Sequence, residues 1–448
     1  MTASTALLTD RYELTMLQAA LADGTADRRC VFEVFTRRLP PGRRYGVVAG
    51  TGRVLDAVRD FRFDDDQLEW LAAERVVDDR TLEYLRDYRF TGDVVGYAEG
   101  EVFFPLSPLM VVEGTFAEAV LLETVVLSIL NYDSAIASAA SRMTSAAVDR
   151  PCLEMGARRA HEEAAVAAAR AAVIAGFAGT SNLEAGRRYG LPTIGTAAHA
   201  FTLLHDDEES AFAAQVASQG RGTTLLVDTY DVHRGVERAL AAAGTELGAV
   251  RLDSGDLAAL AQEVRAQLDA AGARRTKIVV TSDLDEYAIA ALAVAPVDSY
   301  GVGTSVVTGS GAPTCGMVYK MVSRERADGS MEAVAKVSRS KASVGGRKAA
   351  ARRLGPDGRA VEEVLVSGPP DRVLAWQDAQ RRSPEPTLRP LHVPLITGGV
   401  ADERWTGAAG VRLAQARHKA SRDELPRGAR RLSADEAAVP TVTVRLEA

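Results

Sequence analysis

LGAVRLDSGDLAALAQEVRAQLDAAGARRTKIVVTSDLDEYAIAALAVAPVDSYGVGTS, residues 247–305, decides the fold. Its short apolar runs LGAVRLD, KIVVTSD and DSYGVGTS alternate with LAALAQEVRAQLDAAG and LDEYAIAALAVA, where apolar residues return every three or four positions. Each run suits a strand buried on both faces, and each ends in a polar or glycine-containing turn before a helix. Strand, helix, strand in this order makes βα units with parallel strands. Working outward, the same rhythm continues back to about residue 150, through CLEMG near 154, VIAGFAG near 175, TIGTAA near 195 and TTLLVDTY near 226. Seven units in one block favour an α/β fold with an irregular (β/α) barrel. Periodicity by itself leaves an open doubly wound sheet as the alternative.

The flanks read differently. A helix from Leu8 to Ala22, an alternating strand VFEVFTRR, a glycine-rich turn and helix in GRRYGVVAGTGRVLDAV, and the β-rich GDVVGYAEGEVFFPLSPLMVVEG together predict a mixed α+β domain. After Ser305, turn residues in ADGS (327–330) and GPDG (355–358) separate β-type runs, and a charged tail ends in the strand-like TVTVRL. The expected organisation is a mixed N-terminal domain over 1–120, a barrel carrying the active site over 121–320, and C-terminal segments over 321–448 that fold back on the N-terminal domain.

Composition narrows the function. With 448 residues, 47% of them hydrophobic and 25% charged, the chain has ample material for a core in two or three domains. A formal charge of -7 disfavours a nucleic-acid partner, because counterion release needs a basic face. Cys30, Cys152 and Cys315 lie far apart with no metal-ligand spacing, which points to a reducing compartment. The start MTASTALLTDRYELT has no basic segment followed by an apolar run, and the Ala-rich stretches are too short to span a bilayer. The expectation is a cytoplasmic protein without membrane contact.

The reactive side chains gather where apolar runs end, which in a barrel is the face where active sites assemble. They are Arg158 in LEMGARRA, Ser181 and Asn182 in GTSN, His199 in GTAAHA, Asp228 in LLVDTYD, Arg251, Asp253 and Asp256 in RLDSGD, Ser282 and Asp283 in VTSDLDE, and Gly301 to Ser305 in GVGTS. Each has a structural alternative. Asp253 or Ser254 can cap the helix starting near Leu257, although capping leaves the clustering of Arg251 with two aspartates and Gly255 unexplained. Paired carboxylates near an anion make sense if Mg²⁺ or a ribose diol lies between them. GVGTS with VTSDLDE reads as a phosphate cradle or as an ordinary tight turn. His199 is a satisfied, partly buried histidine, or an acid/base or phosphorylatable nucleophile. His205 and His233 are weaker candidates. Arg158 and Arg159 are a surface pair unless one turns inward to a carboxylate.

Together these residues resemble the nicotinate phosphoribosyltransferase family. The resemblance runs in order from LLTDRYELTM through FTRRLPPGRRYGVVAG, LEMGARRA, GFAGTSN, GTAAHAF, RLDSGDL, VTSDLDE and GVGTS to KVSRSKASVGGRK, about three quarters of the chain. It implies a type II phosphoribosyltransferase fold, usually a homodimer. It also implies transfer from 5-phosphoribosyl 1-pyrophosphate to nicotinate, with coupled hydrolysis of ATP and a requirement for Mg²⁺, in NAD salvage. By resemblance, His199 is the histidine that ATP phosphorylates, Arg158 and Tyr12 lie near nicotinate, and Phe177 is a second stacking ring unless it belongs to the core. Arg251, Asp253 and Asp256 match the segment facing ribose and pyrophosphate; Ser181 and Asn182 match a substrate-binding turn; Ser282, Gly303 and Thr304 match the 5′-phosphate cradle. The chain departs from the family after Lys341, where Val344, Gly345 and Gly346 stand in place of a Pro-Gly, and its last segment, from about Val361, matches less distinctively. The type I phosphoribosyltransferase signature is absent. The rivals are the same transfer to nicotinamide or quinolinate, and a barrel aldolase or isomerase, which would call for a strand-end lysine that this chain does not place there.

Overall fold

The computed structural model describes residues 4–336, 344–382 and 385–447. The chain divides into two compact units, Ala139–Gly311 and Met1–Ser138 with Ala312–Ala448. These limits fall at 138/139 and 311/312 rather than near 120 and 320, and the first lies inside the continuous helix Glu123–Ala146.

The unit Ala139–Gly311 is built on one parallel sheet of six strands. Across the sheet they run Gly179–Thr180, Cys152–Glu154, Ser299–Val302, Lys277–Val280, Ala249–Leu252 and Thr224–Leu226. The sheet curls into an open half-barrel, so the irregular α/β barrel is the fold, with one element reduced. TIGTAA contributes only the single bridge Thr193 to Thr180 in place of a full strand. VIAGFAG also differs from expectation. Val173 and Ile174 complete the helix Glu162–Ile174, and the strand follows at Gly179. An alanine-rich run carries no helix breaker until Gly176, whose φ of 103° lets the chain turn.

Strand residues Leu225, Val250, Leu252, Ile278, Val280, Tyr300 and Val302 are fully or almost fully buried, as a parallel sheet with covered faces requires. The helix Leu257–Ala270 shows how each layer closes. Ala261, Val264 and Leu268 return on one face and are buried, each large apolar side chain contributing roughly 1.5–3 kcal/mol. Its cap is Asp256, which accepts from the Ala259 N–H at 3.2 Å, and neither Asp253 nor Ser254 takes that part. Gly255, at φ 87°, turns the chain so that Asp256 reaches the helix end.

The other unit combines the two ends of the chain. A seven-stranded antiparallel sheet places Met317–Glu325 beside Arg29–Thr36, and His392–Thr397 beside Asp93–Tyr97. The hairpins expected at ADGS and GPDG form, the first joining Met317–Glu325 to Met331–Ala333 and the second Arg347–Leu354 to Ala360–Gly368. The strand Thr441–Arg445 lies parallel to Ala360–Gly368 at the edge of a four-stranded sheet. One face of the larger sheet packs on an apolar core that includes Leu14, Leu17, Phe32, Phe61 and Leu121. Arg352, fully buried, bonds Glu101 at 2.7 Å and Glu363 at 3.0 Å, and Arg389 and Glu424 close this ionic cluster. The glycine-rich turn before the helix Thr51–Arg59 holds an internal anion, since Glu99 accepts from the N–H groups of Gly50 and Gly52. Among the described residues no helix is long and apolar enough to cross a membrane. The VSRSKAS stretch, with Lys341, lies outside them.

Candidate active site

In the barrel unit the strand ends converge on a cleft of about 200 Å³ lined by Met155, Arg158, Arg159, Arg251, Asp253, Thr281, Ser282, Asp283, Gly301, Gly303 and Thr304. Volume does not single it out, because two clefts of about 630 Å³ lie in the other unit. Its chemistry does, since it gathers residues that follow four different parallel strands, at the end where such sheets bind ligands.

Arg251 organises the wall. Its guanidinium donates to Thr281 Oγ1 at 3.0 Å, to Asp253 Oδ1 at 3.0 Å, and to Thr196 Oγ1 and the Ala197 carbonyl, both at 3.2 Å. The last two tie the strand Ala249–Leu252 to the loop that leads into His199. Asp253 also accepts from the Thr281 hydroxyl. Burial would raise the Asp253 carboxyl, but the Thr281 hydroxyl and Arg251 outweigh it and hold the group below the usual carboxylate range.

His199 is the first residue of the short helix His199–Leu204, with its side chain 41% exposed. Nδ1 lies 3.1 Å from Thr229 Oγ1. Nε2 faces two carboxylates, Asp228 Oδ1 at 4.0 Å and Asp253 Oδ2 at 3.9 Å. Asp228 accepts from the Asp253 N–H and the Ser254 hydroxyl through Oδ2, both at 2.8 Å, while its buried Oδ1 has no hydrogen-bond partner among the described residues. A buried carboxylate oxygen left open at a strand end suits a bound cation.

The cradle is compact. Ser282 has φ 123°, a backbone region that favours glycine, and its carbonyl accepts from Leu284 N–H at 2.8 Å. Strain of this kind persists where the surroundings fix a turn, and here the turn opens on the cleft. Gly156 allows a second close approach, because a Cβ there would lie 2.3 Å from Val307 Cγ1 and 2.7 Å from the Gly303 carbonyl. The helix after GVGTS is only Thr304–Val307, so the cradle relies on its own hydroxyl and N–H donors more than on a helix dipole.

The cleft thus brings together Arg158, Arg251, Asp253, Ser282, Gly303 and Thr304, with His199 beside Asp253. Other candidates stand apart. Asp256 is exposed and engaged as a helix cap, outside the lining. Asn182 caps the helix Leu183–Tyr189 through the Ala185 N–H at 2.9 Å, and Ser181 is exposed next to it. Phe177, 2% exposed, is in the core and offers no ring face to a ligand. Tyr12 belongs to the other unit, 44% exposed on the helix Arg11–Asp23; burial, then Glu123 and Glu13, push its phenol up to about 12. Met155, Thr229 and Thr281 escaped the sequence reading. Each follows a strand, but an apolar or hydroxyl side chain there gives no chemical signal of its own.

Among the described residues no three His, Cys, Asp or Glu side chains form a metal cage. The donor set fits a cation held by one or two carboxylates and by ligand oxygens, with Asp253 and the open Asp228 Oδ1 as the available groups.

Residues 7–131 match the nicotinate phosphoribosyltransferase (NAPRTase) N-terminal domain, and residues 151–348 match the nicotinate phosphoribosyltransferase (NAPRTase) family. Nicotinate phosphoribosyltransferase pncB1 of Mycobacterium tuberculosis is 57% identical, over 98% of this chain and 95% of its own. The crystal structure of human nicotinic acid phosphoribosyltransferase superposes with a TM-score of 0.80 at 27% identity, covering 97% of each chain. A nicotinate-nucleotide pyrophosphorylase from Pyrococcus furiosus follows at 0.74 and 26%, covering 93% of this chain and 96% of its own. The fold is therefore shared between differently named enzymes, and the full-length sequence match separates them: the chain belongs to the nicotinate phosphoribosyltransferase family.

Proposed function

We propose that the strand-end cleft joins nicotinate to the ribose of 5-phosphoribosyl 1-pyrophosphate, giving nicotinate mononucleotide and pyrophosphate. The observation that carries this is one cleft lined by arginines, an arginine-bound carboxylate and a hydroxyl and glycine cradle, in a chain of this family. The pyridine nitrogen of nicotinate is already a nucleophile. It attacks C1 of the ribose as the C1–O bond breaks and pyrophosphate leaves with the electron pair, so no general base is needed.

Arg158 pairs with the nicotinate carboxylate, where a guanidinium makes two parallel hydrogen bonds. Ser282, Gly303 and Thr304 hold the 5′-phosphate. Arg251 and Asp253 face the ribose and pyrophosphate, where positive charge grows on the sugar and negative charge on the leaving group. Asp256 is assigned the helix cap. Asp253 and Asp228 would hold Mg²⁺, which would supply further neutralisation of the leaving group.

ATP hydrolysis is coupled through His199. Transfer of the γ-phosphoryl group of ATP to its imidazole, with ADP leaving as the P–O bond breaks, changes the charge beside Asp253 and Asp228 and shifts the loop tied to Arg251, raising affinity for the donor; hydrolysis of the phosphohistidine to inorganic phosphate resets the site. The reaction belongs to NAD salvage. We place the protein in the cytoplasm as a homodimer, a reading to which its three buried free cysteines conform.

Arg158→Ala tests the base. Loss of a charge-assisted pair of about 1.5–3 kcal/mol raises the KM for nicotinate roughly 10- to 150-fold in steady-state kinetics. An unchanged KM removes Arg158 from the site. Equal turnover of nicotinamide, or carbon dioxide release from quinolinate, overturns the substrate assignment.

A further inference from the structure

Glu154 is the last residue of the strand Cys152–Glu154 and is completely buried. Carboxylates in such positions ordinarily have a cation. This one has two uncharged donors. Oε1 accepts from the Gly156 N–H and Oε2 from the Thr180 hydroxyl, both at 2.5 Å. Among the described residues no lysine, arginine or histidine accompanies them, and burial pushes the carboxyl up.

The two donors belong to two turns, one lining the cleft and one outside its lining. Gly156 opens the turn Ala157–Arg159 that carries Arg158, and the Arg159 N–H donates back to the Gly156 carbonyl at 2.8 Å. Thr180 Oγ1 accepts in turn from the Asn182 N–H at 2.9 Å, while the Ser181 N–H donates to the Glu154 carbonyl at 2.8 Å. Directly above, Met155 and Arg158 line the cleft.

We propose that Glu154 is a positioning residue for the base: from beneath the cleft its carboxyl group locks the Arg158 turn to the Thr180–Asn182 turn and so fixes where the nicotinate carboxylate is held. Glu154 touches no substrate and acts through Gly156 and Thr180. The role rests on the assignment of nicotinate to the Arg158 side of the cleft. It needs shape and hydrogen bonding rather than charge. Glutamine keeps the shape and the Gly156 bond, accepting through its oxygen, and meets Thr180 with the direction reversed, its amide donating to the second lone pair of Thr180 Oγ1.

The test is steady-state kinetics on the full chain. Glu154→Ala raises the KM for nicotinate by about 10-fold, because a small misplacement of an anchoring group weakens binding strongly. The KM for the phosphoribosyl donor stays within about twofold, and Glu154→Gln restores nicotinate binding to within about threefold of wild type. Thr180→Val, nearly isosteric, serves if the alanine variant does not fold, and shows the same selectivity at about threefold. Equal rises in both KM values, no rise in either, or a glutamine variant as impaired as the alanine one overturns the proposal. Arg158→Ala measured alongside separates the two readings. If it leaves the nicotinate KM unchanged, the base assignment itself fails; if it raises the KM while Glu154→Ala and Thr180→Val do not, only the positioning role fails.

Discussion

In the unit made from the chain's two ends, Arg352 is buried with Glu101 at 2.7 Å and Glu363 at 3.0 Å. In the barrel unit, Glu154 is buried as deeply and among the described residues pairs with no cation, and the His199 imidazole lies 4.0 Å from Asp228 Oδ1. The first set joins segments far apart in sequence, residues near 101 with residues near 352, 363, 389 and 424, and leaves little charge for a ligand to answer. The second lies at strand ends, where a polar group without its full set of partners can be completed by a turn, a substrate or a covalent modification. Paired burial builds the fold, and incomplete pairing marks the chemistry.

Breaking the paired cluster has the largest expected effect on stability. Arg352→Met leaves the buried Glu363 without its guanidinium, while Glu101 keeps Arg389, and lowers the unfolding free energy by about 3–5 kcal/mol in urea denaturation. A loss below about 1 kcal/mol contradicts the view that this cluster is architecture.

Acid sharpens the same contrast. Burial, then Arg422, push His418 down to about 3, and burial pushes His392 down to about 4. Both are neutral in the folded chain, whereas the unfolded chain binds protons from about pH 6.5 downward. The unfolded state therefore holds more protons across this window. Stability is complete above about pH 6.5 and falls as the pH drops toward 4, by up to about 1.4 kcal/mol per pH unit for each histidine. His418→Leu makes the dependence of unfolding free energy on pH shallower between about pH 5 and 6; an unchanged slope denies His418 this part.

A smaller effect divides the RLDSGD segment. Asp256→Ala removes a helix cap and costs about 1 kcal/mol of stability, with the donor KM nearly unchanged. Asp253→Asn does the reverse, raising the donor KM about 10-fold with little loss of stability. A donor KM that rises as much in the Asp256 variant returns that aspartate to the substrate.

Much of the barrel unit is legible in the sequence because its signals are local. The strand Ala249–Leu252 and the helix Leu257–Ala270 each carry their own period, and a glycine and an aspartate mark the join between them. What local pattern cannot choose is which of several polar residues caps the helix, since that depends on the φ of Gly255. The strand in VIAGFAG is misread for a related reason: an apolar run alone does not separate a strand from the end of a buried helix. The sheet of the other unit is hidden more deeply, because Cys30 pairs with Arg324, and such pairing leaves no trace near either residue. The unit boundary inside the helix Glu123–Ala146 is invisible to a pattern that reads one unbroken helix. For the site, residue type and strand-end position single out Arg158, His199, Arg251, Asp253 and Ser282. The proximity of Asp228 to His199, and the support that Thr281 gives Arg251, appear only in three dimensions.

The central claim is that these strand ends form one phosphoribosyl-transfer site coupled to ATP through His199. Its most direct test is nicotinate mononucleotide formation from nicotinate and 5-phosphoribosyl 1-pyrophosphate with Mg²⁺, with and without ATP, for the wild type and His199→Ala. The account predicts product in the wild type that ATP stimulates, and a His199→Ala variant whose remaining rate ATP does not change. Equal stimulation in both would contradict the phosphohistidine, and absence of product from nicotinate would contradict the claim itself.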